Sequence, residues 1–208
     1  MTTIKLPTRQ SNEQVSLDFT LEKRASCRYF KKHTLTLHDV ANMLWAAQGI
    51  TDKRYGNRRT EASAGASYPI ELFIAVRKDG VHELDEGIYH YKVENHTLEK
   101  ISDNDITDEL SEASFNQEFL KKSSFSIFLA SDNARTKQRY AEKGDRYVFM
   151  EAGSITQNIY LKAVARNLGT VFIGAFDDDR VKELFHIEKL MPLAIMPVGL
   201  PSDKKMYT

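Results

Sequence analysis

Between residues 140 and 168 one apolar stripe limits what this chain can fold into. Val148, Ala152, Ile155, Ile159 and Ala163 recur every three or four positions, the spacing of a single helix face, and Leu168-Gly169 closes the run. A helix of that length must lay its apolar face along an equally long apolar surface, which puts it at the centre of a core. Ala152, Gly153 and Ala163 are small enough for close approach of a second helix, in the core or at a subunit interface. With 208 residues, the chain is read as one domain, 1–208, large enough for a real core.

Around this helix the sequence predicts alternating elements. Residues 1–20 read as an extended arm, with a short helix near 17–23. Thr36 and Asp39 have capping-box spacing ahead of Leu37, Val40, Leu44 and Ala47, with Gly49 as a C′ glycine. That helix carries Trp45, expected in the core or at a subunit contact. Ile70, Leu72, Ile74 and Val76 alternate as in a strand with one buried face. Residues 87–93 and 97–101 predict a hairpin about Glu94-Asn95-His96. An acidic amphipathic helix is expected over 104–120, with Ile106, Leu110, Phe115 and Phe119 as its apolar positions. Strands at 125–130, 170–176 and 193–199 complete the reading, with an Asp177-capped helix before the last.

The chemistry concentrates near the start. Arg24, Ser26 and Arg28 occupy alternate positions just before the Thr36 helix. Arginine grips phosphate in a planar, bidentate way and serine adds a short donor. Three such groups on one side of an extended segment suit an elongated, phosphate-tailed ligand; a solvated basic segment has the same pattern. Residues 1–60 hold 11 Lys and Arg against 5 Asp and Glu, so the candidate segment lies in the basic part of a chain with no net charge. That balance gives no reason to expect nucleic acid or an anionic membrane as partner. Cys27, the single cysteine, excludes an intrachain disulfide and fits a reducing compartment. No apolar run has the length of a membrane span or signal peptide, and the expectation is a soluble, cytoplasmic protein. Glycine-rich nucleotide loops, serine-nucleophile elbows and histidine metal patterns are absent, and no side chain is singled out as catalytic.

Arg24-Ala-Ser26-Cys-Arg28-Tyr-Phe30 resembles the opening signature of the FMN-dependent nitroreductase family. Leu44-Trp-Ala-Ala-Gln-Gly49, the small-residue run 62–69, the string 151–158 and the segment 170–176 are similar to later parts of that family, in the same order. The resemblance implies an α+β, nitroreductase-like fold: a central, mostly antiparallel sheet flanked by helices, in a homodimer with two FMN sites at its interface. It implies that Arg24 and Ser26 hold the flavin phosphate and ribityl chain, and that Arg28 lies against the N1/O2 edge. Ser63, Ala64 and Gly65 would contact the flavin bound mainly by the partner subunit. Gln117 would meet the pyrimidine edge, Ile173, Gly174 and Ala175 would line the ring with a backbone N–H near N5, and Lys205 or Lys204 would complete the phosphate site. The chain departs from the family at Ala62, where relatives carry proline, and at Gly174, where many carry glutamate.

The implied activity is a ping-pong cycle in which NAD(P)H reduces FMN and an electron-poor small molecule, such as a nitroaromatic or quinone, is reduced in turn. Ile88-Tyr-His-Tyr91 is similar to a subgroup resembling the azoline-oxidising dehydrogenase of streptolysin-type toxin assembly, which keeps a peptide-modifying role open. Flavin binding without turnover, and an α+β domain with no cofactor, are the remaining alternatives.

Overall fold

The computed structural model describes residues 2–9, 14–54 and 56–202. The chain opens with β1 (Thr3–Lys5), then α1 (Leu17–Lys23), started by Ser16, whose hydroxyl accepts the Phe19 N–H at 3.1 Å. After β2 (Phe30–Lys31) comes α2 (Leu37–Gln48). Its capping box is complete: Asp39 N–H donates to the Thr36 hydroxyl, and the Asp39 carboxylate accepts the Thr36 N–H at 3.1 Å. Gly49 ends this helix with φ −61°, not in the left-handed region; it is glycine because a Cβ would collide with the Trp45 ring. A small ribbon, β3 (Ile50–Asp52) and β4 (Arg58–Arg59), leads to β5 (Ile70–Val76), and the expected hairpin forms as β6 (Gly87–Lys92) and β7 (Thr97–Ser102).

The second half holds α3 (Thr107–Ala113), β8 (Phe125–Ser131), α4 (Asn133–Tyr140), α5 (Gly144–Ala165), β9 (Gly169–Thr170), α6 (Asp178–Phe185) and β10 (Met191–Pro201). The sheet runs β1-β7-β6-β5-β8-β10-β2, every neighbour antiparallel, with β9 also on β10. Helices lie on both faces, so the fold is α+β with a central antiparallel sheet. On one face, Leu72, Ile74, Ile127, Leu129 and Met196 pack with Val40 and Leu44 of α2 and Ile155 and Ile159 of α5. On the other, Phe73, Phe128 and Ile195 pack with Leu110 of α3 and Val181 and Phe185 of α6. Val148, Ile155 and Ile159 of the α5 stripe are fully buried. Each burial of that kind contributes about 1.5–3 kcal/mol.

The structure corrects several boundaries. β5 is buried on both faces, because α3 and α6 cover the side that alternation left to solvent. Residues 1–20 are not wholly an arm: β1 extends the sheet, with Ile4 opposite Leu98. The helix expected over 104–120 stops at Ala113, whose carbonyl is taken by the Asp177 N–H at 2.8 Å. Phe115 and Asn116 then have φ 55° and 60°, Phe115 is exposed, and a 3₁₀ turn, Glu118–Lys122, follows. The helix expected over 140–168 spans only Gly144–Ala165, and the unexpected α4 ends before it at Ala141, with φ 46°. Only the start of 170–176 is strand, because the Phe172 N–H bonds a side chain; Ile173 and Ile195 make an isolated bridge beyond it.

Asp39 ties α2 to the end of α5. Its carboxylate also accepts from the Arg166 guanidinium at 2.8 Å. Burial works against its ionisation, but the Thr36 hydroxyl and N–H and Arg166 together hold its carboxyl below the usual range. Asp39→Ala is expected to cost about 1.5–3 kcal/mol in urea unfolding at pH 7, the scale of a lost cap and a charged hydrogen bond. A lowered folded pKa supplies stability above the unfolded value and loses it as pH falls through the folded one. The penalty is therefore expected to shrink below the ordinary aspartate range, and an equal penalty at pH 7 and pH 2 would contradict this account of Asp39.

Candidate functional site

The Arg24–Arg28 segment leaves α1 in extended conformation and is held by its neighbours rather than by a ladder. Cys27 N–H donates to Thr170 O at 2.8 Å, and the thiol is buried against Gly169, where a Cβ would stand 2.6 Å from the sulfur. Burial pushes the Cys27 thiol up, outweighing its bond to the Tyr29 carbonyl, so the residue anchors the segment and is a poor nucleophile. With Cys27 turned inward, Ser26 turns towards α5. Its hydroxyl lies 3.0 Å from the Tyr160 hydroxyl, and the Arg24 guanidinium lies 5.2 Å from the centre of the Tyr160 ring. The Tyr160 oxygen also accepts the Phe172 N–H at 2.7 Å.

This one hydroxyl therefore joins the arginine-serine segment to the 172–175 turn. Ile173 is buried on Ile195, while Gly174 and Ala175 are exposed, with little or no side chain over their backbone. Gln117 reaches the same turn, its amide donating to Ala175 O at 3.4 Å. Arg24, Ser26, Gln117, Ile173, Gly174 and Ala175 are thus brought together as the sequence suggested. Arg28 is exposed beside them. Among the described residues neither Arg24 nor Arg28 forms an ion pair, whereas Arg54, Arg59, Arg135, Arg166 and Arg180 each do. Lys204 and Lys205 lie outside the described residues.

The Ser63-Ala64-Gly65 loop sits elsewhere. Gly65 has φ 60° and lies against Arg139 and Tyr140 of α4, and Ser67 bonds Thr136 at 2.9 Å. Ser63 accepts the Tyr68 N–H at 2.9 Å, and the loop lies against α5. Glu151 and Tyr160 are nine positions apart on α5, about 13 Å at the rise of a helix. Within one chain the loop and the arginine-serine segment are therefore separate groups.

Three side chains here escaped the sequence reading. Tyr160 has no local signature, since a tyrosine beside an apolar stripe reads as packing. Glu61 and Glu151 read as helix or loop surface, yet both are buried and pushed up to about 7, first by burial, with the Glu61 charge adding to the effect on Glu151. The cationic and hydroxyl donors of Arg24 and Ser26, next to the exposed backbone of Gly174 and Ala175, fit a ligand with an anionic tail and a flat head.

Tyr160→Phe removes both hydrogen bonds while keeping the ring. Hydrogen exchange of the Phe172 amide is expected to speed up roughly tenfold, for a loss of about 1–1.5 kcal/mol. Unchanged protection would show that the hydroxyl does not hold the turn.

Comparison with known proteins agrees with this geometry. The nitroreductase family model matches residues 21–200. A nitroreductase homologue of Methanocaldococcus jannaschii is 39% identical over 187 residues, covering 90% of this chain and 92% of that protein. The microcin B17-processing protein McbC of Escherichia coli is 26% identical over 200 residues, covering 93% of this chain and 73% of that one. In structure, a nitroreductase homologue from Anabaena variabilis superposes with TM-score 0.84 at 27% identity, over 97% of this chain and 42% of that one. The NADPH:FMN oxidoreductase of Vibrio harveyi, solved with NAD+, shares the fold with TM-score 0.63 at 16% identity, over 91% of this chain and 70% of that one. With a fold, a segment order and a family match that all agree over most of its length, the chain belongs to the nitroreductase family.

Proposed function

We propose that this chain is an FMN-dependent oxidoreductase that takes hydride from NAD(P)H and reduces an electron-poor small molecule, such as a nitroaromatic or quinone. The observation that carries the reading is the pair of guanidiniums, Arg24 and Arg28, that form no ion pair among the described residues and flank the Ser26 hydroxyl. The Ser26 and Tyr160 hydroxyls lie 3.0 Å apart and either can donate; with Tyr160 as donor, the Ser26 hydrogen is left for an anion. Arg24 and Ser26 bind the phosphate end in this reading. Arg28 places positive charge where negative charge gathers on reduction. Bound FMN supplies the acceptance and release of hydride.

The chain is proposed to act as a homodimer. Leu17, Phe19 and Leu21 of α1 and Phe149 and Met150 of α5 are exposed, and a Cβ on Gly153 would meet nothing within 4 Å. Two copies packed on this face would each bury an apolar surface that a single copy leaves in water. An isologous contact near Gly153 brings the Ser63–Gly65 loop of one copy towards the arginine-serine segment of the other, which unites the two separated groups. Among the described residues no helix is long and apolar enough to cross a membrane.

The likeness to McbC supports a second reading, in which the same redox site oxidises a modified peptide delivered by partner proteins. The two readings separate on the electron donor. Chain reconstituted with FMN is expected to be yellow, and to bleach on anaerobic addition of NADH or NADPH. Colour without bleaching favours the peptide reading, and a colourless chain after gel filtration rejects both. Arg24→Ala is expected to weaken FMN binding by about 1.5–3 kcal/mol, roughly ten- to a hundredfold. Undiminished retention would remove Arg24 from the site.

A further inference from the structure

A cavity of about 540 Å³ lies between α1, α2, β3, β4 and the last turns of α5, and the redox reading does not use it. Ligand pockets run from roughly 300 to 1,000 Å³, so this is the volume of a small-molecule site. Trp45 and Ala46 of α2 and Leu161 and Ala165 of α5 give it apolar walls. Lys162 lines it as well, two residues after Tyr160 and so about 200° further round the helix. The cavity therefore stands on the opposite flank of α5 from the arginine-serine segment.

Its charge is one-sided. Arg59 and Lys162 are the charged residues around it, and none is an acid. Arg59 is engaged by Glu94 at 3.3 Å and by the Tyr68 ring, 4.2 Å away. Lys162 is half-buried and forms no ion pair among the described residues. The charges that act on it are cations: Arg9, stacked 4.1 Å over the Trp45 ring, and Arg166. Burial and these like charges hold its ammonium below the ordinary lysine range. A lysine in the last turn of a helix suits the dipole. Here, however, the carbonyls of Lys162, Ala163 and Val164 already accept backbone N–H groups, so the ammonium is not needed as their cap.

Most neutral donors around the cavity are committed within the chain. The Thr20 hydroxyl donates to Leu17 O at 2.8 Å, Thr51 to Arg58 O at 3.1 Å and Thr60 to the Glu61 carboxylate at 3.4 Å. The Asn158 amide donates to Thr60 O at 3.3 Å. The Lys162 ammonium is left to meet a ligand, with the Ser16 hydroxyl, whose oxygen accepts the Phe19 N–H. One uncommitted cation beside aromatic and aliphatic walls matches a single negative charge on an apolar body. A phosphate brings more charge and more acceptors than these donors can meet.

We propose that this cavity binds a small organic carboxylate, with its anionic end on Lys162 and its hydrocarbon against Trp45. The proposal is independent of the flavin site, and its test needs no flavin. Trp45 is the only tryptophan of the chain, so tryptophan emission reports on this cavity alone. Titration of the full chain with sodium hexanoate, at constant ionic strength, is expected to give a saturable change in that emission. Hexanamide, of the same shape without the charge, and inorganic phosphate should each bind at least about tenfold more weakly, the scale of one charge-assisted hydrogen bond. Lys162→Met, checked for folding by circular dichroism, should weaken hexanoate about tenfold, leave hexanamide unchanged and retain FMN as the unaltered chain does. Lys162→Arg should keep hexanoate binding within about threefold.

No saturable change, as when a second copy of the chain covers the cavity, overturns the proposal. Hexanamide binding as tightly as hexanoate marks an apolar groove without an anion site, and phosphate binding as tightly marks unspecific attraction to the cations; either result overturns it. So does hexanoate binding that ignores Lys162→Met. Loss of FMN from that variant would make the cavity part of the flavin site and overturn its independence.

Discussion

The packing of α5 on the sheet is the constraint from which the rest follows. Its buried stripe, Val148 to Ala163, fixes the rotation of the helix as well as its position. At about 100° per residue, Glu151 and Tyr160 then emerge on opposite flanks of that stripe. Neither flank is solvent and neither is core, which is where a polar group can be buried and still reach another element. One flank carries the buried Glu151 against the Ser63 loop, and the other receives Ser26 and Phe172 through Tyr160. Without the stripe neither polar contact has a fixed place to form.

The edges that meet these flanks are irregular, and specific polar bonds hold them where the sheet stops. Cys27 N–H to Thr170 O, Phe172 N–H to Tyr160 Oη, Asp177 N–H to Ala113 O and the Ile173–Ile195 pair succeed one another along a stretch with almost no strand. Each bond contributes only about 1 kcal/mol net, but an unmet N–H in their place would cost more. That asymmetry makes the turn specific: bonds at Phe172, Ile173 and Asp177 hold the segment while Gly174 and Ala175 between them are exposed.

Local signals were legible and distant ones were not. The Thr36–Asp39 capping box, the hairpin about His96 and the Asp177 cap each lie within a few residues, and all three appear in the structure. The break after Ala113 was not legible, because the group that caps its carbonyl comes from Asp177, far along the chain. The strand expected over 170–176 failed for the same reason, since a tyrosine twelve residues earlier takes the N–H at Phe172. The arginine-serine segment could be read because its chemistry is carried by adjacent residues. Tyr160 could not, because its role exists only once α5 has been rotated into place. Glu61 and Glu151 are separated by ninety positions, and in sequence nothing distinguishes them from surface acids.

The two flanks of α5 carry opposite imbalances. Among the described residues Arg54, Arg59, Arg135, Arg166 and Arg180 each sit against a carboxylate, and Arg24 and Arg28 do not. On the far flank Glu151 is buried and its Oε1 has no hydrogen-bond partner among the described residues. Fixed positive charge without an ion pair is what an anion balances. The same helix that rigidifies the core thus sets the arginine-serine segment beside one flank and the Glu151 carboxyl on the other.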